Sequence, residues 1–377
     1  MAKMRTTEIE TDLSLFKYDH LEQLPPEYRN LEENERTDRI ERSLEILGDD
    51  VVVLGHNYQR REIVEHADFV GDSYGLSREA AAADAEYVIF GGVTFMAESA
   101  DIITDDDQTV ILPSMEASCP MAGMAEALQV DSAWAEITAA APDANIIPIT
   151  YMNSYADLKA FCASQGGLVC TSSNAHKAFE YAFEKGDKVL FLPDKHLGEN
   201  TAHRLGMEDA IAEWDPWDPE GKAAAEVAES DIILWDGYCQ VHERFTTDHI
   251  EQVREANPDA QVIVHPECRR EVVEAADKAG STATICETIE TADPGETWAI
   301  GTEIHLTEHL KRWHPEVNVL PLCGDACMDC NAMRQIDPNY LTWVLEELVA
   351  GRERNVIEVA PEEKELAGLA LERMLEI

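Results

Sequence analysis

The stretch "VVVLGHNYQ", residues 51–59, runs four aliphatic side chains into a glycine and then presents a histidine, an amide and a phenol. An apolar run without polar alternation suits a strand buried on both faces, as in a parallel sheet covered by helices. In such sheets, ligands bind beyond the carboxyl ends of the strands, which is where His56 and its neighbours fall. The fold therefore depends on whether this pattern recurs.

It recurs throughout the chain. The first third holds "VVVLGH", "ADFVGDS", "AEYVIFGG" and "TVILPS", with helix-like segments between them. The middle third holds "NIIPITY", "GLVCTSS", "KVLFLPD" and "DIILWD". The last holds "QVIVHPE", "ATICET", "WAIGTE" and "VNVLPL". These make three sets of four expected strands. Their first runs start at 51, 145 and 261, so the spacings are 94 and 116, and the longer one contains an acidic insertion, "EWDPWDPEGKAAAEVAES". Repetition at this period reads as one α/β unit triplicated.

The sets also agree in chemistry. The first run of each delivers His56, Tyr151 or His265. Hydroxyl groups accompany the second: Ser73, then Ser172 and Ser173, then Ser281 and Thr282. A cysteine follows the fourth: Cys119, Cys239, and one residue of the cluster Cys323, Cys327 and Cys330. If the three units turn their strand ends to a shared centre, three thiols and a set of neutral donors meet there. Three thiolates on separate loops suit zinc or an iron–sulfur cluster. Cys162, Cys170, Cys268 and Cys286 lack the post-strand position and read as small buried hydrophobes.

Composition narrows the classes. The 377 residues allow two or three cores, and no run of 18 apolar residues offers a membrane span. The N-terminal segment "MAKMRTTEIETDLSLF" lacks an apolar signal core, so a cytoplasmic protein is expected, and nine cysteines there are thiols or metal ligands rather than structural disulfides. A formal charge of −46, spread along the chain, repels nucleic acid and anionic membranes. The 11 Lys and 18 Arg are few, and the whole reads as a halophilic surface, since molar salt cuts the Debye length to about 3 Å.

Taken in order, "GHNYQ", "GDSYGLSREA", "SCPMA", "YMNSYADLKA", "VCTSSNA", "LPDKHLGEN", "WDGYCQVH", "HPEC" and "CNAMRQI" resemble the quinolinate synthase family from about residue 40 to the C-terminus. The resemblance implies three homologous αβα domains, with parallel four-stranded sheets, around a pseudo-threefold axis. Residues 1–48 would be an N-terminal helical segment, with repeats over 49–130 (completed by 336–377), 131–240 and 241–335. It implies a transferase that condenses iminoaspartate with dihydroxyacetone phosphate to quinolinate in NAD biosynthesis. An upstream enzyme that makes unstable iminoaspartate would be a natural partner.

The resemblance also implies a [4Fe-4S] cluster on Cys119, Cys239 and Cys330, with one iron left open as a Lewis acid. Cys330 matches because "CNAM" follows the family's Cys-x-x-Met pattern. Some relatives carry a Cys-x-x-Cys pair here that can oxidise, which would make Cys327 a partner of Cys330. The x₃ gap after Cys323 departs from those relatives. Tyr58 and Glu267, with His56, resemble the acid–base groups. His56, Ser73, Tyr151, Asn153, Ser172, His242, His265, Glu267 and Thr282 resemble the substrate-holding set. An enclosed Glu267 is expected to be raised towards neutrality by desolvation. A hydro-lyase of the aconitase kind would instead carry several substrate arginines, and an electron carrier would need four closely spaced cysteines and no His/Ser/Tyr set.

Overall fold

The computed structural model describes residues 24–217 and 223–377. Residues 1–23 of the expected N-terminal helical segment lie outside these, as does part of the acidic insertion. The described part of that segment carries a helix over Glu33–Leu47, clamped by Arg39, whose guanidinium donates to both Glu346 oxygens at 2.7 and 2.6 Å.

Among the described residues, thirteen strands build three parallel sheets. The first contains β1 (Val51–His56), β2 (Phe69–Gly71), β3 (Tyr87–Gly91) and β4 (Thr109–Ile111), in the order β2-β1-β3-β4. The second contains β5 (Ile146–Tyr151), β6 (Leu168–Cys170), β7 (Lys188–Leu192), β8 (Ile211–Trp214) and β9 (Ile232–Trp235), in the order β6-β5-β7-β9-β8. The third contains β10 (Gln261–Val264), β11 (Lys278–Ala279), β12 (Thr297–Gly301) and β13 (Asn318–Pro321), in the order β11-β10-β12-β13. Every ladder is parallel, and apart from β8 the three orders are the same. The triplicated α/β plan read from the sequence is therefore present.

Two details differ from the sequence reading. The middle sheet gains a fifth strand, β8, at its outer edge. In the third set, "ATICET" lies in the helix Thr282–Glu290, and the second strand is the two-residue β11. Ser281 explains the helix: its side chain caps the amide of Thr284 at 3.3 Å, satisfying one of the donors that a helix start leaves open.

The central strands are buried along their length, Val51–His56, Ile146–Tyr151 and Lys188–Leu192 without interruption. The third strand of a set packs tightly on the first: a Cβ on Gly91 would meet the Leu54 carbonyl at 2.8 Å, and one on Gly301 would meet Val264 at 2.7 Å. One apolar core runs through the first two sheets and the C-terminal helices, while the third sheet carries separate clusters. After helix Pro338–Val349 the chain bridges β4 at Val356, and helix Pro361–Leu375 then lies on helix Ala156–Ser164.

The surface charge leads to the first expected result. Seventy-five acidic residues repel one another unless salt screens them. Circular dichroism during dilution from molar salt to below about 0.1 M, where the Debye length reaches ~10 Å, should record loss of helix. An unchanged spectrum would contradict salt adaptation.

Candidate metal centre and active site

The first strand of each set ends at the cavity. His56 closes β1, Tyr151 closes β5, and His265 follows β10 directly. His56 and His265 sit in matching local turns. The Tyr58 amide donates to His56 Nδ1 at 3.0 Å, and the Glu267 amide donates to His265 Nδ1 at 3.3 Å. A ring whose Nδ1 accepts carries its proton on Nε2 when neutral. Burial holds both histidines down at about 3, and the neighbouring imidazole adds to the shift in each. Both are thus neutral donors near pH 7.

The hydroxyl residues sit at helix starts. Ser73 opens helix Ser73–Ala82, Thr282 opens helix Thr282–Glu290, and Ser172 precedes helix Ala175–Lys185. Asp72 caps the first of these, accepting from the Gly75 amide at 2.7 Å. Asn153 lies on the turn between β5 and helix Ala156–Ser164, which two buried charged groups hold. Glu98, from helix Thr94–Ile103, accepts the Ala156 amide at 2.8 Å, and Lys159 donates to the Ser154 carbonyl.

The cysteines also share a local form. Cys119, Cys239 and Cys330 each follow the last strand of their set, β4, β9 and β13, and precede a short helical turn. Burial pushes the Cys119 thiol up to about 12, Cys330 up to about 11, and Cys239 upward as well. In each case backbone amides two or three residues further on oppose that shift: Met121 and Ala122, His242, and Ala332 and Met333. Three half-buried sulfurs, each facing main-chain donors and close enough to perturb one another, form a donor set that fits a thiolate-ligated metal group.

All of these residues line one cavity: His56, Tyr58, Ser73, Tyr151, Asn153, Ser172, His242, His265, Glu267 and Thr282, together with Cys119, Cys239 and Cys330. Among the described residues, Cys239, His242 and Glu267 also form a potential metal site, with ligand atoms within 4.8 Å of one another.

Residues 38–376 match the family described as Quinolinate synthetase A protein. The chain belongs to the quinolinate synthase family. A quinolinate synthase of Haloarcula marismortui is 82% identical over 374 residues, covering 99% of this chain and 100% of the relative. One of Halobacterium salinarum is 80% identical over the same shares. One of Corynebacterium glutamicum is 47% identical over 357 residues, 94% of this chain and 90% of the relative.

Beyond the residues that the quinolinate synthase resemblance points to, the structure adds several. The Thr302 hydroxyl bonds Tyr58 at 2.7 Å and His242 Nε2 at 3.0 Å, linking the first set's phenol to the second's histidine. Buried Glu303 accepts the Cys330 amide at 3.1 Å and so holds the third cysteine loop. Both follow β12 in "WAIGTE", where a polar pair at the end of an apolar strand was the available signal. His196 is buried and bonds Glu243 at 2.6 Å, which Arg269 also meets at 2.8 Å; none of the three lines the cavity. Cys327 is bonded to Cys323, not to Cys330, which is free.

One electrostatic expectation is reversed. Burial does push Glu267 upward, but His265 and His242 beside it outweigh that and hold it below the usual carboxylate range. Tyr58 and Tyr151 move well up, through burial and then the neighbouring Glu267. The cavity thus holds a carboxylate among neutral phenols.

The two depressed histidines make stability depend on pH. Their folded pKa lies below the unfolded value near 6.5, so the unfolded chain takes up more protons in acid. Their contribution is complete above about pH 6.5 and is lost as pH falls towards 3. Thermal unfolding in molar salt should record a lower Tm at pH 5 than at pH 7, on the order of 1 kcal/mol per pH unit for each ring. His56→Asn should blunt the loss; a Tm that did not change with pH would contradict it.

Proposed function

We propose that the chain is a transferase that condenses iminoaspartate with dihydroxyacetone phosphate to quinolinate, the pyridine precursor of NAD. The observation that carries this reading is the meeting of matched strand-end residues from three sheets in one cavity. Cys119, Cys239 and Cys330 would hold a [4Fe-4S] cluster, which supplies a Lewis acid when bound.

The chain's own groups suit anionic substrates despite the net charge. Helix starts present amides and a positive dipole end, and the hydroxyls of Ser73, Ser172 and Thr282 lie there. With Asn153 and the Nε2–H groups of His56 and His265, they bind the dicarboxylate and the triose phosphate without fixed positive charge. Glu267, held as a carboxylate, takes protons; Tyr58, held as a phenol, returns them, with Thr302 fixing its hydroxyl. Enolisation, imine formation and loss of water need that exchange. Tyr151 and His242 flank Glu267 and keep it oriented.

No helix among the described residues is long and apolar enough to cross a membrane. A cytoplasmic setting keeps the ligating thiols reduced, and an upstream enzyme would supply iminoaspartate because that imine hydrolyses readily. The test is an anaerobic assay in molar salt with iron-loaded protein, in which quinolinate should form only when both substrates are present. Iron-loaded, folded protein that made none would overturn the reading.

A further inference from the structure

We propose that Asp194 and Glu303 are positioning residues that hold the Cys239 and Cys330 loops in the form in which their sulfurs meet a metal group. The proposal rests on the three-cysteine reading and deepens it. Neither acid lines the cavity.

The three sets place one residue alike. Their third strands end at Gly91, Leu192 and Gly301, and the second residue after each, Val93, Asp194 or Glu303, caps the start of the next helix. Asp194 and Glu303 are fully buried. Each serves its own helix: Asp194 Oδ1 accepts the Leu197 amide at 2.9 Å, and Glu303 Oε2 accepts the His305 amide at 2.7 Å. Capping alone does not call for glutamate, which is not among the favoured residues at a helix start. Its longer side chain has a second task. Glu303 Oε1 accepts the amide of Cys330 itself at 3.1 Å, and the His305 ring braces that oxygen at 2.8 Å. On Asp194, Oδ2 is buried without a hydrogen-bond partner, and the Cys239 amide lies near enough to counter the upward push of burial on that carboxyl.

The first set shows the contrast. The Thr94 amide donates to the Ala117 carbonyl at 2.9 Å and the Lys195 amide to the Gly237 carbonyl at 2.8 Å, each two residues before a cysteine. Where Asp194 and Glu303 add an acid, the first set has Val93, and the Thr94 hydroxyl ties the same Ala117 carbonyl at 3.1 Å instead. An acid facing a cysteine amide fixes the direction of that residue's side chain, as outer partners orient metal ligands. Moving the loop would leave a buried carboxyl group short of a donor, so the hold is stiff.

The test uses the full chain, anaerobic in molar salt and loaded with iron and sulfide. Glu303→Ala and Asp194→Ala should each lose iron to a chelator about 10–100-fold faster than the unaltered protein. Glu303→Gln and Asp194→Asn, which keep an acceptor oxygen, should restore retention. Asp337→Ala removes a cap of the same kind, one that accepts the Asn339 amide at 2.8 Å, and should lower Tm without speeding iron loss. Folded alanine variants that keep iron as the unaltered protein does would overturn the proposal, as would equal loss from Asp337→Ala. Hydrogen exchange of the metal-free, unaltered chain decides the matter even if the alanine variants fail to fold. The Cys330 amide should be protected like those of β13, and exchange as fast as in a free peptide would overturn the proposal. That measurement needs neither cluster nor turnover, so its failure is separate from failure of the quinolinate reading.

Discussion

Serine in place of Cys119, Cys239 or Cys330 is expected to remove the iron centre and all activity, while Cys268→Ser keeps both. Serine differs from cysteine by one atom, so the fold should tolerate the change; a neutral hydroxyl, however, is a poor substitute for a soft thiolate ligand. Burial already raises all three thiols, and only the turn amides and a bound metal favour their ionised form. Cys268 is also buried, but its sulfur faces the Gly301 carbonyl at 3.8 Å and lies outside the cavity, so a hydroxyl can serve there. Iron and sulfide per chain, with circular dichroism as the folding control, decide the matter. Retention of a full cluster by Cys330→Ser together with its loss in Cys327→Ser would move the third ligand three residues upstream.

Glu267→Gln should lower kcat by about 10²–10⁴-fold, the usual worth of a positioned proton-transfer group, with iron content unchanged. Glutamine keeps the size and one acceptor oxygen but cannot take a proton near neutral pH. Ser172→Ala offers the contrast. Losing one donor at a helix start costs about 1–3 kcal/mol, so KM should rise roughly 5–150-fold while kcat holds. Steady-state kinetics of both variants in molar salt separate the two roles. Wild-type turnover in Glu267→Gln would remove Glu267 from proton transfer.

The features most legible in the sequence were those that repetition amplifies. Strands buried on both faces leave continuous apolar runs, and "VVVLGH", "NIIPITY" and "QVIVHPE" each announce a first strand and the residue it presents. Their recurrence also located the post-strand cysteines, and the cavity gathers all of the residues that the family resemblance supplied. Weak or local signals were harder to read. β8 is an edge strand whose burial alternates, so "IAEW" does not look like the inner runs. β11 has two exposed residues and leaves no hydropathic trace, whereas the adjacent "ATICET" is rich in strand-favouring side chains but follows a capping serine into a helix. The charge state of Glu267 depends on His242 and His265; His242 sits in a separate turn ahead of β10, so its effect shows only in the assembled site. Thr302 left only a polar pair after an apolar strand as its signal, because its role is to touch Tyr58 and His242 across repeats.

The central claim is that three cysteines, one from each repeat, hold a single iron–sulfur centre in the cavity that carries the substrate groups. Its most direct test is anaerobic purification in molar salt, followed by iron and sulfide analysis and an absorption spectrum of the brown or colourless protein. The account predicts about four iron and four sulfide per chain, with the broad visible absorption of a [4Fe-4S] cluster. Colourless protein that takes up zinc or no metal, and that cannot be loaded with iron and sulfide under reducing conditions, would contradict it.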